Sequence, residues 1–272
     1  YIPKTDEVYL LAGYPWFKVR ARDQFISLPG CTLSVGRRDD FVAIMNSSIP
    51  HIHDFMNNRP RRNIIKQIED PDLLLWVIWS LQQYWKEDRE GFKERYADFV
   101  FSIVDYILSN KHPNLIVDKE NGLLLTDGRN VAVSWMNAMQ NGKPVIPRSG
   151  YLVEFNALWY NALKFSEEVA DAVKQEGKAT RYGERASIVR QSFVETFLNN
   201  AGYLYDYVDG TYTDWNVRPN MIFAVSADYS PLERHQRKSV INYVTKELLT
   251  PVGIRSLSPK GYNYHPRYAG TT

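Results

Sequence analysis

Gly150-Tyr151-Leu152-Val153-Glu154-Phe155-Asn156-Ala157-Leu158-Trp159-Tyr160-Asn161-Ala162-Leu163 reads as one helix. Phe155, Leu158, Trp159, Ala162 and Leu163 recur at i, i+3, i+4, i+7 and i+8, the spacing of an apolar stripe on an α-helix. The same stretch carries the carboxylate of Glu154, the amides of Asn156 and Asn161, and the aromatics Trp159 and Tyr160. Carboxylates and amides hold hydroxyl groups in fixed geometry, and aromatic faces cover the apolar side of a pyranose ring, so these are the parts of a sugar site. Trp159 has two readings: the periodicity makes it core, and the chemistry makes it a stacking surface.

On either side of this stretch the period stays helical. Leu74, Ile78, Leu81 and Trp85 share the face of a first clear helix, and Ala97, Val100, Phe101, Val104, Ile107 and Leu108 that of the next. Amphipathic stretches follow over 151–175, 180–198 and 232–249. Leu115–Val117 with Leu123–Leu125, and Tyr203–Tyr207 with Thr211–Thr213, predict short hairpins, the second turning at Asp209-Gly210. Long helices with small hairpins in their connections predict an all-α helical toroid. No Pro- or Gly-rich linker interrupts the chain, so residues 1–272 are expected to form a single domain. A weak echo between Asp72-Leu73-Leu74-Leu75-Trp76 and Asp214-Trp215-Asn216-Val217-Arg218 places each Asp where it would cap a following helix. For both, that capping role stands beside a role in a site.

Composition sets bounds. With 33 basic against 31 acidic residues and no Lys/Arg run longer than three, the chain lacks the basic face that a nucleic-acid platform needs. The 7 Trp, 18 Tyr and 12 Phe suit stacking on carbohydrate and ordinary helix packing alike. Cys31 is the single cysteine, which excludes an internal disulfide and fits a reducing compartment. The N-terminus carries no signal peptide and no apolar run approaches the about 18 residues of a membrane span, so a soluble, cytoplasmic protein is expected. The Asn46-Ser47-Ser48 sequon then has no secretory context. His51 and His53 are two apart without a third ligand nearby, and His112, His235 and His265 are scattered, so neither a metal nor another cofactor is expected. Phosphate-cradling glycine loops and a Gly-x-Ser-x-Gly elbow are absent from the sequence.

A collinear series of motifs carries more weight than any of these. Gly13-Tyr14-Pro15-Trp16-Phe17 precedes Ala21-Arg22-Asp23-Gln24-Phe25-Ile26-Ser27-Leu28-Pro29-Gly30; then come Ser134-Trp135-Met136-Asn137-Ala138, Pro147-Arg148 and the Glu154 helix. Gly202-Tyr203-Leu204-Tyr205-Asp206, Arg218-Pro219-Asn220-Met221-Ile222-Phe223-Ala224 and Leu249-Thr250-Pro251-Val252-Gly253-Ile254-Arg255-Ser256-Leu257 complete it. In this order the chain resembles the C-terminal catalytic domain of glycogen debranching enzymes, the amylo-alpha-1,6-glucosidase family. The resemblance implies an (α/α)6 toroid of the six-hairpin glycosidase type, and inverting hydrolysis that releases glucose from α-1,6 branch stubs of glycogen or limit dextrin. It also implies that the chain holds the N-terminal two-thirds of that barrel. A preceding domain and the last helices are expected outside it, with Arg267–Thr272 expected to be the approach to them.

Cleavage of a glycosidic bond uses one carboxylic acid to protonate the leaving oxygen and a second carboxylate to act at the anomeric carbon. The resemblance puts the acid at the last polar position of Ser134-Trp135-Met136-Asn137, where this chain has an amide, and the general base beyond Thr272. Asn137 cannot donate the proton, although it can hydrogen-bond a sugar. A branch of the family using another acid, an altered residue, and a glucan-binding protein derived from an enzyme all fit. Glu154 is the substitute acid within the chain; its other reading is a carboxylate that orients substrate. As further substrate contacts the resemblance implies Arg22 with Asp23, as a bidentate pair facing the pocket, together with Asp206, Arg218 and Asn220. Trp16 and Trp135 are stacking candidates that would serve equally as barrel core. Arg148 sits in a loop, where function is commoner than packing. Asp72, Asn156, Trp159 and Tyr160 complete the expected substrate-binding set. Two alternatives to debranching stand: another (α/α)6 α-glucosidase resembling glucoamylases, and a non-catalytic glucan binder.

Overall fold

The apolar stripes of the sequence become the packed faces of helices. The computed structural model describes residues 1–267, and among them are eight α-helices. These are α1 Ala21–Cys31, α2 Arg38–Met56, α3 Leu73–Glu87, α4 Arg89–Leu108, α5 Val153–Ala172, α6 Glu176–Phe197, α7 Phe223–Ser226 and α8 Arg234–Leu248. Tyr268–Thr272, the end of the expected approach to further helices, lies outside the described residues. No described helix is long and apolar enough to cross a membrane.

α3 and α4 form a hairpin turning on one residue. Asp88 ends α3, and its carboxylate accepts the Gly91 N–H at 2.9 Å, capping α4. Trp85, Phe92 and Phe165 meet edge to face and tie this hairpin to α5. α5 is buried all round from Val153 to Leu163, the mark of a central helix. α1 packs on α3, α3 on α5 and α5 on α7, while α6 lies along α5. α2 is joined to its neighbours mainly by side chains: Phe41 stacks on Tyr84 of α3, and Ser48 accepts from Gln24 of α1 at 2.9 Å.

Among the described residues nine short strands fill the connections: β1 Ile116–Val117, β2 Leu124–Thr126, β3 Met139–Gln140, β4 Lys143–Pro144, β5 Gly150–Leu152, β6 Tyr207–Asp209, β7 Tyr212–Thr213, β8 Leu249–Thr250 and β9 Gly253–Ile254. Five of them form one antiparallel sheet in the order β1-β2-β5-β6-β7. The first expected hairpin is one end of it; at the other end the hairpin is formed by Tyr207–Asp209 rather than Tyr203–Tyr207. In the second, Asp209 pairs with Tyr212, so the turn centres on Gly210-Thr211 and Asp209 is the last strand residue.

The sequence expectation differs from the structure at several points. Gly150–Leu152 is the strand joining the two hairpins, and the helix starts at Val153. Helices begin at Ala21, well before Leu74. Pro29 and Pro50 interrupt the periodic pattern of α1 and α2, and the buried Ser48 and His51 dilute the α2 stripe. The Asp72/Asp214 echo is not a structural repeat. Asp72 precedes α3 without a side-chain cap bond, and Asp214 lies in a loop where its carboxylate accepts the Asn216 N–H at 2.8 Å.

Candidate active site

The strand-to-helix passage at Gly150 positions the site. Gly150 has φ +82°, and a Cβ there would run into the Val208 carbonyl of β6, so only glycine lets β5 lie flush on its neighbour. The chain then enters α5 at once, putting Glu154 in the first turn, where the helix dipole favours a negative charge. The Val153 N–H at that helix start donates to the Asp206 carbonyl at 3.1 Å, locking β6 onto α5.

Four charged side chains converge beneath this junction. Arg148 donates from Nη1 and Nη2 to the two Glu154 oxygens at 2.5 and 2.7 Å, and from Nη2 to the Asp206 carbonyl at 3.1 Å. Its Nε lies 2.8 Å from Asp206 Oδ2, and Arg218 Nε lies 3.5 Å from the same oxygen, both as ion pairs. Asn220 donates to Asp206 Oδ1 at 2.7 Å. All five residues are buried, and two guanidinium groups balance two carboxylates. That balance is what makes the burial tolerable, because an isolated ion here would carry a large desolvation penalty. Burial pushes the Glu154 carboxyl upward and Arg148 opposes it; burial works against the Arg148 charge, but Asp206 and Glu154 hold its pKa above the ordinary range.

The loop Val133–Asn137 sits on this quartet. Trp135 Nε1 donates to Asn220 Oδ1 at 2.8 Å, Arg148 Nη1 to Ser134 Oγ at 3.4 Å, and Asn220 Nδ2 lies 3.3 Å from Met136 Sδ. From the other side Arg22 Nη2 reaches the Val133 carbonyl at 3.5 Å. Arg22 belongs to a second buried cluster: Nε donates to Asp72 at 2.8 and 3.0 Å, Nη2 lies 2.7 Å from Asp70, and Trp76 Nε1 donates to Asp72 at 3.0 Å. Here one cation faces two carboxylates. Burial, and then the Asp72 charge, raise the Asp70 pKa to about 6 against the pull of Arg22.

Above these anchors Asn137 is exposed, and Trp135 is 38% exposed. A cavity of about 240 Å³ opens beside them, lined among the described residues by Trp135, Met136, Asn137, Ala138, Val145, Ile146 and Ser256, none of them a carboxylate. The loop returns through β3 and β4, whose Asn141-Gly142 turn has φ of +52° and +74°, both positive as a tight hairpin requires.

The structure therefore joins Arg22 with Asp72, and Trp135, Arg148, Glu154, Asp206, Arg218 and Asn220 with one another, around the loop that bears Asn137. Other expectations are corrected. Arg22 does not pair bidentately with Asp23; it pairs with Asp70 and Asp72, and Asp23 is exposed in the first turn of α1. Asn156 is fully buried, accepting from the Leu124 N–H at 2.6 Å and donating to the Leu124 and Leu152 carbonyls, so it staples β2 to α5. Trp159 is fully buried with Nε1 on the Gly122 carbonyl at 3.1 Å, and Tyr160 is buried beside it, so both belong to the core. Trp16 is 81% exposed on the loop before α1 and is not core. Glu154 and Arg148 are buried against each other rather than open to solvent. Asp70, Trp76 and the β3–β4 hairpin were not foreseen. Asn141-Gly142 signals that hairpin in sequence, whereas Asp70 carries no local signal, because its partner is 48 positions away. Among the described residues no group of His, Cys, Asp and Glu has the arrangement of a metal site.

Carboxylates held rigidly by guanidinium groups beneath a tryptophan-bearing loop suit a glycosidase-type domain, and similarity to known proteins points to that class. A model of the amylo-alpha-1,6-glucosidase family matches residues 1–272, and the chain belongs to that family. It is also 25% identical, over 366 aligned positions, to the glycogen debranching enzyme of Saccharomyces cerevisiae. That alignment covers 98% of this chain and 23% of the yeast protein, so the chain spans about a quarter of its relative's length.

Proposed function

We propose that this chain is the glucosidase portion of a glycogen debranching enzyme. In this reading it hydrolyses the α-1,6-linked glucose stub left on a trimmed branch, with inversion, inside an (α/α)6 toroid to which residues 1–272 contribute. The observation that carries the proposal is the seating of the Ser134–Asn137 loop on the buried Arg148–Glu154–Asp206–Arg218–Asn220 quartet and its amide. A loop anchored from beneath by Trp135 and Ser134 holds Asn137 in a fixed exposed place, as a group acting on a sugar must be held. The quartet is the scaffold of that loop, and Asp23, Trp135 and Trp16 are the exposed residues that meet the glucan.

The second reading, a glucan binder without turnover, is favoured by one observation: among the described residues, the cavity wall around Asn137 holds an amide and no carboxylate. An amide there keeps hydrogen bonds to a glycosidic oxygen and supplies no proton. Glucose release from a phosphorylase-trimmed limit dextrin, by the full-length protein that contains residues 1–272 and by its Asn137→Asp variant, separates the two. Debranching by the unchanged protein, with little gain in the variant, supports catalysis with the acid outside the Asn137 loop, and Glu154, buried with both oxygens on Arg148, is not placed to be that acid. Release by the variant alone, gained by about 10²–10⁴-fold as the supply of a general acid predicts, supports the binder. No release from either, with the variant correctly folded, overturns the debranching assignment.

A further inference from the structure

A cleft of about 540 Å³ opens between α2 and the loop that follows it, on residues that the site around Asn137 does not use. Its size falls within the ~300–1,000 Å³ typical of ligand clefts. Among the described residues its wall carries the cations Arg59, Arg61, Arg62 and Lys66 against the carboxylate of Glu69. Arg62 is paired with Glu7, which lies outside the wall, and Arg61 Nη1 stands 3.6 Å from Glu69 Oε2. Arg59 and Lys66 are left with no carboxylate within ion-pair distance among the described residues. Like charges gathered around one concavity repel each other, and a bound anion relieves that repulsion. The loop presents these cations from a fixed backbone. Lys66 is bridged to Arg20: its N–H donates to the Val19 carbonyl and its carbonyl accepts the Ala21 N–H, both at 3.0 Å. Ile65 and Ile68 are buried on either side of it. The Arg59 N–H donates to the Asp54 carbonyl at 2.8 Å, and the Arg61 guanidinium lies over the Phe55 ring at 5.2 Å. Such anchoring lowers the ordering cost of binding.

We infer that this cleft binds a phosphate monoester, its phosphoryl oxygens held by Arg59 and Lys66, and its hydroxyl groups met by the amides of Asn63 and Gln67. Guanidinium forks and ammonium groups match phosphate oxygens, and amides both donate to and accept from hydroxyls. Asn63 and Gln67 stand in the same wall as the cations, which places the two kinds of contact side by side. Arg61 and Arg62, partly answered by their carboxylates, add to the attracting field. The inference is independent of the debranching reading, since it uses none of that site's residues. Because Lys66 is bridged to the chain just before α1, a bound ester would fasten the loop to the helix that carries Arg22.

Calorimetric titration of the full-length protein that contains residues 1–272, at low ionic strength, is the test, with inorganic phosphate, glucose 6-phosphate and AMP as probes. Arg59→Gln and Lys66→Gln are each expected to weaken ester binding by about tenfold, the loss of one charge-assisted contact, and the double variant by about a hundredfold. Arg59→Lys, which keeps the charge, is expected to retain most of the affinity. The thermal midpoint without ligand should stay at the wild-type value in these variants, while the rise that an ester gives the wild type should disappear in the double variant. Tighter binding of glucose 6-phosphate than of AMP assigns the ester to sugar phosphates, the reverse order assigns it to nucleotides, and either supports the inference. Failure of all three probes to bind the wild type, or equal affinity in the wild type and the double variant, overturns it. So does displacement of the esters by chloride as readily as by inorganic phosphate at equal ionic strength, because only a diffuse positive field would then be present. Binding of a polyglutamate peptide that depends on Arg59 and Lys66, without binding of any ester, also overturns it and makes the cleft a docking face for an acidic protein segment.

Discussion

Arg148 shows how one side chain can hold a site without meeting its substrate. Its guanidinium spends one edge on both Glu154 oxygens and its Nε on Asp206, and it also reaches the loop through Ser134. Arg148→Met would leave Arg218 facing Asp206 alone and Glu154 buried without a cation. Loss of one partner from such a cluster costs about 3–5 kcal/mol, measurable as a drop in the urea unfolding midpoint, and a fall below 1 kcal/mol would contradict the quartet. Asp70 gives a pH-dependent counterpart. Its carboxyl rises from 3.8 to about 6 on folding, so across that window the folded chain holds a proton that the unfolded chain has released. The stability contributed by this group is complete below pH 3.8 and is lost as pH rises through about 6. Asp70→Asn is therefore expected to gain on the wild type between about pH 4 and about pH 7, by up to roughly 2–3 kcal/mol. Parallel urea titrations with a constant difference would rule that out. Neither property was legible from residue types alone, since Arg22 finds Asp70 and Asp72 across some 50 positions while its neighbour Asp23 points to solvent.

Elements were read with uneven success, and the reason is burial. α4, α6 and α8 each carry a one-sided apolar stripe, and the stretches read as 180–198 and 232–249 lie within a few residues of α6 and α8, Glu233 and Gln236 forming a capping box at α8. α5 is buried on every side, so its stripe says where the helix runs and nothing about which of its polar side chains meet a ligand; Asn156 and Trp159 are spent on backbone groups of β2 and Gly122. Gly150 marks the boundary that periodicity missed. Gly150→Ala would force a side chain into left-handed backbone and against the Val208 carbonyl, at a cost of order 1–3 kcal/mol. The expected result is a lower thermal midpoint together with weaker docking of β5 on β6. A variant with an unchanged midpoint would mean that the strand junction is looser than its geometry indicates.

For the protein as a functional unit, the sheet and the helix starts gather side chains from six separated segments, at Arg22, Asp70–Asp72, Val133–Asn137, Arg148–Glu154, Asp206 and Arg218–Asn220. A glucosidase acting on branch stubs is expected to release glucose from a limit dextrin far faster than from a linear maltooligosaccharide of equal length, because the α-1,6 linkage presents the stub at a different angle to fixed groups. Measuring the two initial rates side by side checks this. Equal rates would favour the glucoamylase-like alternative, since that chemistry needs only a free chain end.

Periodicity and motif order were enough to establish the mainly helical character, the first of the end hairpins, the family resemblance, and most of the residues that now meet around the Asn137 loop. These are properties of local spacing and of residue identity, which a linear chain displays in full. Pairing was not legible in the same way. That Arg22 takes Asp70 and Asp72, that Arg148 shares itself between Glu154 and Asp206, and that Trp135 rests on Asn220 depend on which distant segments become neighbours. Desolvation then makes those pairings obligatory, because a charge or amide taken out of water must find its partner wherever the fold brings one.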